Sequence, residues 1–336
     1  MKFSNDWLGN LKTCARNHDL HGISVVIPSL NDDKRVELCL GSLLNQTLSL
    51  DLVEIVLVRN FTSDKDSTRS LDKSIQTLLD RFIHVQVLYC ELGNSNASNA
   101  GVEAAQFKFL TIVDHDDFVS SQYLELLLGA AILADSTHVV LAPVIDLHGI
   151  FNRPEIPAIP RRTMRERKSG QRKISPKSEY AEVRLFTNQL TGKLFHTHVF
   201  CGEKFDPSLT AGMDTELAVR LIRNRKVMSV SSTARGCYYF RIFTFPSVSR
   251  PTTRDYKFSV TDRVSIITSL VPNFLERDSI SVGIIKSQKR YINDYLVVHT
   301  EQRARVIKDF QEAGFDHNFI DELIGSDEIT IYPEIG

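Results

Sequence analysis

Residues 109–117 read Phe-Leu-Thr-Ile-Val-Asp-His-Asp-Asp, an apolar, β-prone run that ends in three carboxylates within four positions. Such a run is typical of a buried strand in a parallel sheet. Asp114, Asp116 and Asp117 would then follow its carboxyl end, where open α/β sheets bind their ligands. One interpretation is a metal–diphosphate site, because Mg²⁺ is often held by one or two carboxylates plus substrate phosphates. The other is an acidic turn in which Asp117 or Ser120 caps the next helix.

Strands and helices alternate around this stretch. The predicted strands are Ile23–Ile27, Leu52–Val58, His84–Tyr89, Phe109–Val113 and Val139–Val144, and Pro28 is expected to end the first. The predicted helices are Asp33–Gln46, Ser70–Arg81, Ser95–Gln106 and Gln122–Ala134. Strands that alternate with helices of this length indicate βαβ units, and therefore an α/β fold with a mainly parallel central sheet.

Composition narrows the class of protein. The 336 residues are 42% hydrophobic and 24% charged with a net charge of −1, so no global field favours nucleic acid as a partner. The five cysteines are scattered without a CxxC pair, which predicts neither a zinc site nor a disulfide framework and favours a reducing cytoplasm. Met1–Asn10 lacks the apolar core of a signal peptide, and the apolar run Leu126–Ala134 is too short to span a bilayer.

The second half of the chain changes character twice. Residues 152–178 combine prolines with a basic run, which predicts a mobile basic loop. That loop is either simply solvated or a contact for an anionic acceptor or a membrane. From about Asp255 the pattern is mostly helical to Gly325. We therefore expect one domain over residues 1–250 and a C-terminal helical region over 251–336, which could contact a membrane surface or a second copy of the chain.

Several segments follow one another in the order and at the spacings of a known family. They are Ile23–Asn31, Leu43–Thr47, Gly93–Gly101, Val113–Asp117, Thr191–Phe195, Ala211–Asp214 and Tyr238–Ser249. Over about residues 22–250, the chain resembles an inverting family 2 glycosyltransferase of the GT-A fold. Its Tyr238–Ser249 segment is similar to that of bacterial members that build capsules and other surface polysaccharides.

The resemblance implies roles for three acids. Asp116 would be the direct ligand of a Mn²⁺ or Mg²⁺ ion, and Asp114 would lie near the donor ribose or in the water shell of the metal. Asp214 is the second acid of the family's Glu-Asp pair and would be the general base that takes the proton of the acceptor hydroxyl. Without the family, Asp214 or Thr215 reads as the cap of the helix that begins here.

The resemblance also implies a nucleotide-sugar donor, with a UDP-sugar favoured, and a glycan or lipid-linked glycan acceptor. Pro28, Ser29 and Asn31 would contact the base and ribose of the donor. Further donor-binding candidates are Asn60, Asn94, Asp114, Lys193 and Arg241. Each has an alternative structural role: Pro28 could simply stop a strand, Asn94 could cap a helix, and Lys193 and Arg241 could be ordinary surface cations.

Three positions depart from the family pattern. Arg59 stands where an acid often accepts hydrogen bonds from uracil, and a guanidinium can only donate. Ser98 replaces an arginine, and Met213 replaces the first acid of the Glu-Asp pair. These departures keep a second hypothesis open, a catalytically degenerate module that scaffolds a partner enzyme. A nucleotidyltransferase is less consistent with the sequence, because no Gly-rich basic loop follows the first strand.

Overall fold

The computed structural model describes residues 20–29, 33–61, 71–148, 172–174, 180–233, 235–243, 255–274 and 279–325. The chain divides into two compact units. The first unit comprises Met1–Lys173, Leu190–Pro207 and Arg220–Thr244. The second comprises Ile174–Gln189, Ser208–Val219 and Phe245–Gly336.

The described strands all lie in the first unit. They are β1 (Leu20–Ser29), β2 (Val53–Phe61), β3 (His84–Glu91), β4 (Phe107–Ile112), β5 (Phe118–Val119), β6 (His138–Leu141), β7 (Val144–His148), β8 (Arg172–Lys173), β9 (Lys193–His196), β10 (Ser229–Ser232) and β11 (Tyr239–Phe243). The α-helices are α1 (Asp33–Leu44), α2 (Lys73–Leu79), α3 (Asn94–Ala104), α4 (Tyr123–Ala131), α5 (Tyr180–Thr187), α6 (Met213–Arg223), α7 (Asp262–Phe274), α8 (Ser279–Val298), α9 (Arg303–Glu312) and α10 (His317–Gly325).

The larger sheet has the strand order β3-β2-β1-β4-β9-β6-β10-β8. Strands β1, β2, β3 and β4 run parallel, β9 is antiparallel to β4 and β6, and β10 is parallel to β6. A smaller sheet has the order β5-β11-β7. Ile23, Val25 and Ile27 on one face of β1 and Ser24 and Val26 on the other are all fully buried, as expected for a strand covered on both faces. The predicted α/β fold with a mainly parallel central sheet is therefore confirmed.

Two strand boundaries differ from the sequence prediction, and proline chemistry explains both. β1 continues through Pro28, which lies opposite Val58 of β2. The last residue of β1 that pairs with β4 is Val26, so the missing N–H of Pro28 interrupts no ladder on that side. The predicted strand over 139–144 is instead two strands in different sheets, β6 and β7, separated by Ala142 and Pro143.

The second unit is helical in its described C-terminal part, as the sequence predicted. A π-helix, Lys257–Thr261, leads directly into α7, and α8 packs against both α5 and α7. None of the described helices combines the length and the apolar character that crossing a bilayer requires. Of the predicted basic loop, the structure describes residues 172–174, and Arg172–Lys173 pair antiparallel with β10. The rest of that prediction lies outside the described residues.

The cysteines depart in one respect from the sequence expectation. Cys201 takes part in a disulfide, which the scattered cysteine pattern did not predict. Cys39, Cys90 and Cys237 carry free thiols, and Cys39 and Cys237 are buried.

Candidate active site

The carboxyl ends of β1, β2 and β4 form the edge on which the predicted donor site lies. Ser29 of β1 is opposite Arg59 of β2, and Val26 is opposite Ile112 of β4. Asp114 follows β4 by two residues, so it emerges at the same edge. The predicted donor residues Pro28, Ser29 and Asn60 are buried here, and Asn60 accepts a hydrogen bond from the Cys90 thiol at 3.0 Å. Asn31 lies outside the described residues.

Asp116 faces a cation that the sequence analysis missed. Nη1 of Arg35 lies 3.3 Å from Oδ2 of Asp116, and the two side chains are 29% and 26% exposed. Arg35 belongs to the first turn of α1, which follows the first strand of a parallel sheet and therefore starts at the same edge. A basic residue at this place in the sequence was the signal that could have identified it. Because both side chains are partly exposed, the ion pair leaves Asp116 accessible to a cation.

Asp117 has a different environment from its two neighbours. It is 2% exposed, and its carboxylate accepts hydrogen bonds from the Tyr239 hydroxyl and the Ile242 N–H, both at 2.8 Å. The interpretation of Asp117 or Ser120 as the cap of the next helix is therefore wrong, since α4 has Gln122 before it without a side-chain cap. Burial and the charge of Asp116 raise the pKa of Asp117 to about 7. Asp117 anchors the turn to β11 rather than facing a ligand.

The acids together produce a negative potential at this edge. Burial, followed by the charges of Asp117, Asp114 and Asp116, raises the pKa of the Cys39 thiol well above its ordinary value. Asp114 is half-buried, and its backbone N–H donates to the Tyr239 hydroxyl at 3.1 Å. A focused negative potential of this kind attracts cations.

The two predicted donor-binding cations are both engaged with protein groups. Lys193, the first residue of β9, is 2% exposed and donates to the carbonyl oxygen of Thr191 at 3.2 Å. Arg241 makes a bidentate contact with Asp146 on the neighbouring strand, with Nε–Oδ1 and Nη2–Oδ2 distances of 2.8 and 3.0 Å. Their roles toward a donor stay predictions.

Helix α3 contributes one candidate ligand and one structural anchor. Asn94 is its exposed first residue, preceded by Gly93 at a φ of 139°. Asn99 packs instead: its Nδ2 donates to the Phe205 carbonyl at 2.9 Å, and its Oδ1 accepts from the Phe205 N–H at 2.8 Å. Ser98, one of the departures from the family pattern, is buried.

Arg59 is buried at the site edge. Its side chain is 9% exposed, and Nη2 lies 2.8 Å from Oδ1 of Asp33, the first residue of α1. The guanidinium of Arg59 is therefore paired with a carboxylate at the position where the family resemblance implies a base-reading acid. Asp33 is the second residue of this edge that the sequence analysis did not select.

Asp214 belongs to the second unit. It is half-buried in the first turn of α6, which begins at Met213. Gly212 precedes the helix, and its carbonyl accepts the N–H of Glu216 at 3.0 Å. Asp214 and Thr215 thus both lie inside the helix, one and two residues after its first residue, and the role of Asp214 stays a prediction.

The residues at the edge fit a cation that is delivered with phosphate. Among the described residues, no three or more His, Cys, Asp or Glu side chains converge as a ready-made metal cage. Asp114 and Asp116 offer only oxygen atoms, which are the ligands that Mg²⁺ prefers, and this ion commonly takes its remaining ligands from water and substrate phosphates.

Comparison with known proteins relates part of this chain to a family. Residues 24–187 match the model of Glycosyl transferase family 2. The uncharacterized glycosyltransferase EpsJ of Bacillus subtilis is 35% identical over 105 residues, which are 31% of this chain and 29% of EpsJ. The minor teichoic acid biosynthesis protein GgaB of Bacillus subtilis is 22% identical over 317 residues, which are 90% of this chain and 31% of GgaB. These matches thus span about a third of the curated relatives.

Solved structures agree on the fold. TarS of S. aureus superposes with a TM-score of 0.59 at 17% identity, covering 90% of this chain and 50% of TarS. Residues 1–349 of TarS in complex with UDP-GlcNAc superpose with a TM-score of 0.56 at 16% identity, covering 90% and 81%. The family resemblance of the sequence is thereby confirmed over residues 24–187, which match the model of Glycosyl transferase family 2, and the chain has the GT-A fold.

Proposed function

We propose that the chain is an inverting, metal-dependent glycosyltransferase. It moves a sugar from a nucleotide-diphosphate donor to a hydroxyl of a surface glycan or glycolipid. The observation that carries the proposal is the pair Asp114 and Asp116, which emerges at the carboxyl edge of the sheet within the family 2 domain. Ligands of open α/β sheets bind at this edge.

The donor would lie along the ends of β1, β2 and β4. Pro28, Ser29 and Asn60, at the ends of β1 and β2, are the residues proposed for the base and ribose, and Asn31 stays a predicted contact. Asn94, Lys193 and Arg241 are the polar groups proposed for the diphosphate side. The TarS complex with UDP-GlcNAc supports a nucleotide sugar as the donor class. The Arg59–Asp33 pair leaves the identity of the base to experiment.

Asp116 would hold a Mn²⁺ or Mg²⁺ ion, with Asp114 binding it directly or through water. When bound, such an ion neutralises the charge that develops on the departing diphosphate. Arg35 would give up its 3.3 Å contact with Asp116, and breaking an exposed ion pair of this kind costs about 0–1 kcal/mol.

Asp214 would act as the general base. Its carboxylate would take the proton of the acceptor hydroxyl while that oxygen attacks the anomeric carbon opposite the departing nucleotide. One in-line displacement inverts the anomeric configuration. General-base assistance contributes about 10²–10⁴-fold in rate.

The acceptor class is proposed from the names of relatives rather than from the site. EpsJ is named a glycosyltransferase, and GgaB is named for teichoic acid biosynthesis, which supports a bacterial surface polymer as the acceptor class. A cytoplasmic enzyme at the inner face of the membrane would have access to nucleotide sugars and lipid-linked acceptors. The C-terminal helices would provide the membrane or subunit contact.

Donor hydrolysis tests the proposal without knowledge of the acceptor. The purified chain is incubated with UDP-, GDP-, CDP- and dTDP-sugars, with Mn²⁺ or with EDTA, and released nucleotide is measured. We expect turnover of at least one donor that requires Mn²⁺. Asp116→Ala and Asp214→Ala should reduce it by at least about 100-fold, whereas Asp72→Ala, at the exposed cap of α2, should not.

A specific alternative is a degenerate module that scaffolds a partner enzyme, which the residues Arg59, Ser98 and Met213 motivate. It predicts no turnover of any donor and unchanged partner binding in Asp116→Ala and Asp214→Ala. Turnover that persists in EDTA, or that survives both substitutions, would contradict the metal-dependent mechanism.

A further inference from the structure

A buried carboxylate of the C-terminal helical region holds the backbone just before Asp214. Asp262, the first residue of α7, is 1% exposed. Its Oδ2 accepts hydrogen bonds from the N–H groups of Thr210 and Ala211, both at 3.0 Å, and from the Thr210 hydroxyl. All of these residues belong to the second unit. Two successive backbone N–H groups directed at one buried carboxylate fix the local path of the chain.

Lys257 adds two contacts to those that Asp262 makes with the backbone before Asp214. Its Nζ lies 2.7 Å from Oδ1 of Asp262 and donates to the carbonyl oxygen of Ser208, also at 2.7 Å. Lys257 is the first residue of the π-helix, and π-helical turns occur frequently at functional sites. The segment Ser208–Ala211 is therefore bound through both its N–H and its C=O groups.

Gly212 allows this segment to approach α7 closely. Its φ is +82°, and an added Cβ would lie 2.5 Å from Cδ1 of Ile266 and 2.9 Å from Nη1 of Arg263. Arg263 is itself immobilised: it is 3% exposed, and Nη1 donates to Oε1 of Gln288 at 3.0 Å. The backbone two residues before Asp214 thus has little room to move toward α7.

The chain upstream is anchored as well, within the first unit. Asn99 of α3 makes two hydrogen bonds to the backbone of Phe205, and Oγ of Ser95 donates to the carbonyl of Asp206 at 2.9 Å. Hydrogen bonds therefore hold the backbone over most of residues 205–212, the segment that precedes α6. Few side chains in the segment are needed for this, because its backbone groups make the contacts.

We propose that Asp262 is a positioning residue for the reaction, which sets the place of Asp214 by fixing Thr210 and Ala211. The C-terminal helical region then contributes to catalysis by positioning the general base. This inference rests on the proposed function, because that function makes Asp214 the base. A catalytic group misplaced by about 1 Å can lose about 10²-fold in rate.

The test compares Asp262→Ala with a matched control in the same unit. Asp309 of α9 also accepts a hydrogen bond, from the Tyr256 hydroxyl at 2.8 Å, and Tyr256 lies outside the segment 208–212. With the donor and Mn²⁺ of the hydrolysis assay, Asp262→Ala should lower kcat by about 100-fold and leave KM for the nucleotide sugar unchanged. Asp309→Ala should retain wild-type kcat. Asp262→Asn keeps an acceptor oxygen and should lose less than Asp262→Ala.

A kcat of Asp262→Ala equal to that of the wild type would overturn the inference, and so would a KM that rises in step with the loss. Circular dichroism and thermal unfolding identify a variant that fails to fold. If Asp262→Ala does not fold, the kcat and KM of Asp262→Asn are used instead. A kcat equal to that of the wild type, or a KM that rises in step with the loss, would again overturn the inference.

Amide hydrogen exchange provides a readout that does not depend on turnover. Thr210 and Ala211 should be protected in the wild type and in Asp309→Ala, and exchange should accelerate in Asp262→Ala. Unprotected amides in the wild type, or unchanged protection in Asp262→Ala, would refute the positioning claim. A wild-type chain that hydrolyses no donor would refute the proposed function alone, and the exchange data would still decide the role of Asp262 as the tether.

Discussion

At the scale of residues, three acids that are neighbours in sequence have different environments in the folded chain. Asp116 faces Arg35 and remains partly exposed, whereas Asp117 is buried against Tyr239 and Ile242. The sequence predicted an acidic cluster at a strand end, and the structure agrees. Which acid turns inward depends on the pairing of β5 with β11, two segments about 120 residues apart, so spacing alone could not reveal it.

The burial of Asp117 predicts a pH-dependent stability difference. Its folded-state pKa of about 7 exceeds the ordinary value of 3.8, so between these values the folded chain binds more protons than the unfolded chain. The contribution of Asp117 to stability therefore falls as pH rises through this window. Asp117→Asn lacks this titration. Its free energy of unfolding should therefore rise relative to that of the wild type as the pH increases from 5 to 8.

Urea unfolding in EDTA measures this difference, since EDTA removes any effect of bound cations. Asp51→Asn, at an exposed residue, is the control for the substitution of a carboxylate by an amide. A difference between Asp117→Asn and wild type that stays constant or shrinks as pH rises would show that Asp117 does not titrate as the buried environment requires.

At the scale of elements, the long strands and helices were predictable and the short ones were not. Apolar runs with the correct spacing indicated β1 to β4 and α1 to α4 to within a few residues. β5 has two residues, and its existence depends on a partner distant in sequence. The split of the predicted strand 139–144 at Pro143 required knowledge of two sheets, which periodicity does not contain.

The packing of α3 on the sheet predicts opposite effects for two helical glycines. A Cβ at Gly101 would lie 2.3 Å from Cγ1 of Val26 and 3.1 Å from Cγ2 of Val58. Gly101→Ala should therefore destabilise the chain by about 1–3 kcal/mol through overpacking. Gly129 of α4 is exposed, and a Cβ there meets no atom within 4 Å. Gly129→Ala should stabilise by about 0.5–1 kcal/mol, because alanine favours the helix.

Urea denaturation of the two variants checks this contrast directly. The same sign of change in both would mean that α3 does not approach β1 and β2 as closely as the contacts require. The pair is informative because the chemical change is identical and only the surroundings differ.

At the scale of the whole molecule, the region that matches the family model does not include all of the proposed catalytic residues. The family 2 match ends at residue 187, whereas Asp214 and the residues that tether it lie beyond it. The sequence indicated Asp214 through a resemblance of four residues, and its structural support comes from Asp262, about fifty positions later. No local pattern in the sequence connects the two, so this part of the proposed site required the structure.

A thermal-shift titration tests whether Asp114 and Asp116 hold a cation that binds a nucleoside diphosphate. UDP, GDP, CDP and dTDP are each added with Mn²⁺ or with EDTA to the wild type, Asp114→Ala, Asp116→Ala and Asp72→Ala. A ligand at a hundredfold excess over its Kd raises the free energy of unfolding by about 2.7 kcal/mol. We expect a rise in Tm for at least one nucleotide with Mn²⁺, retained in Asp72→Ala and lost in EDTA and in Asp116→Ala. An equal rise in EDTA or in Asp116→Ala, or no rise with any nucleotide, would contradict it.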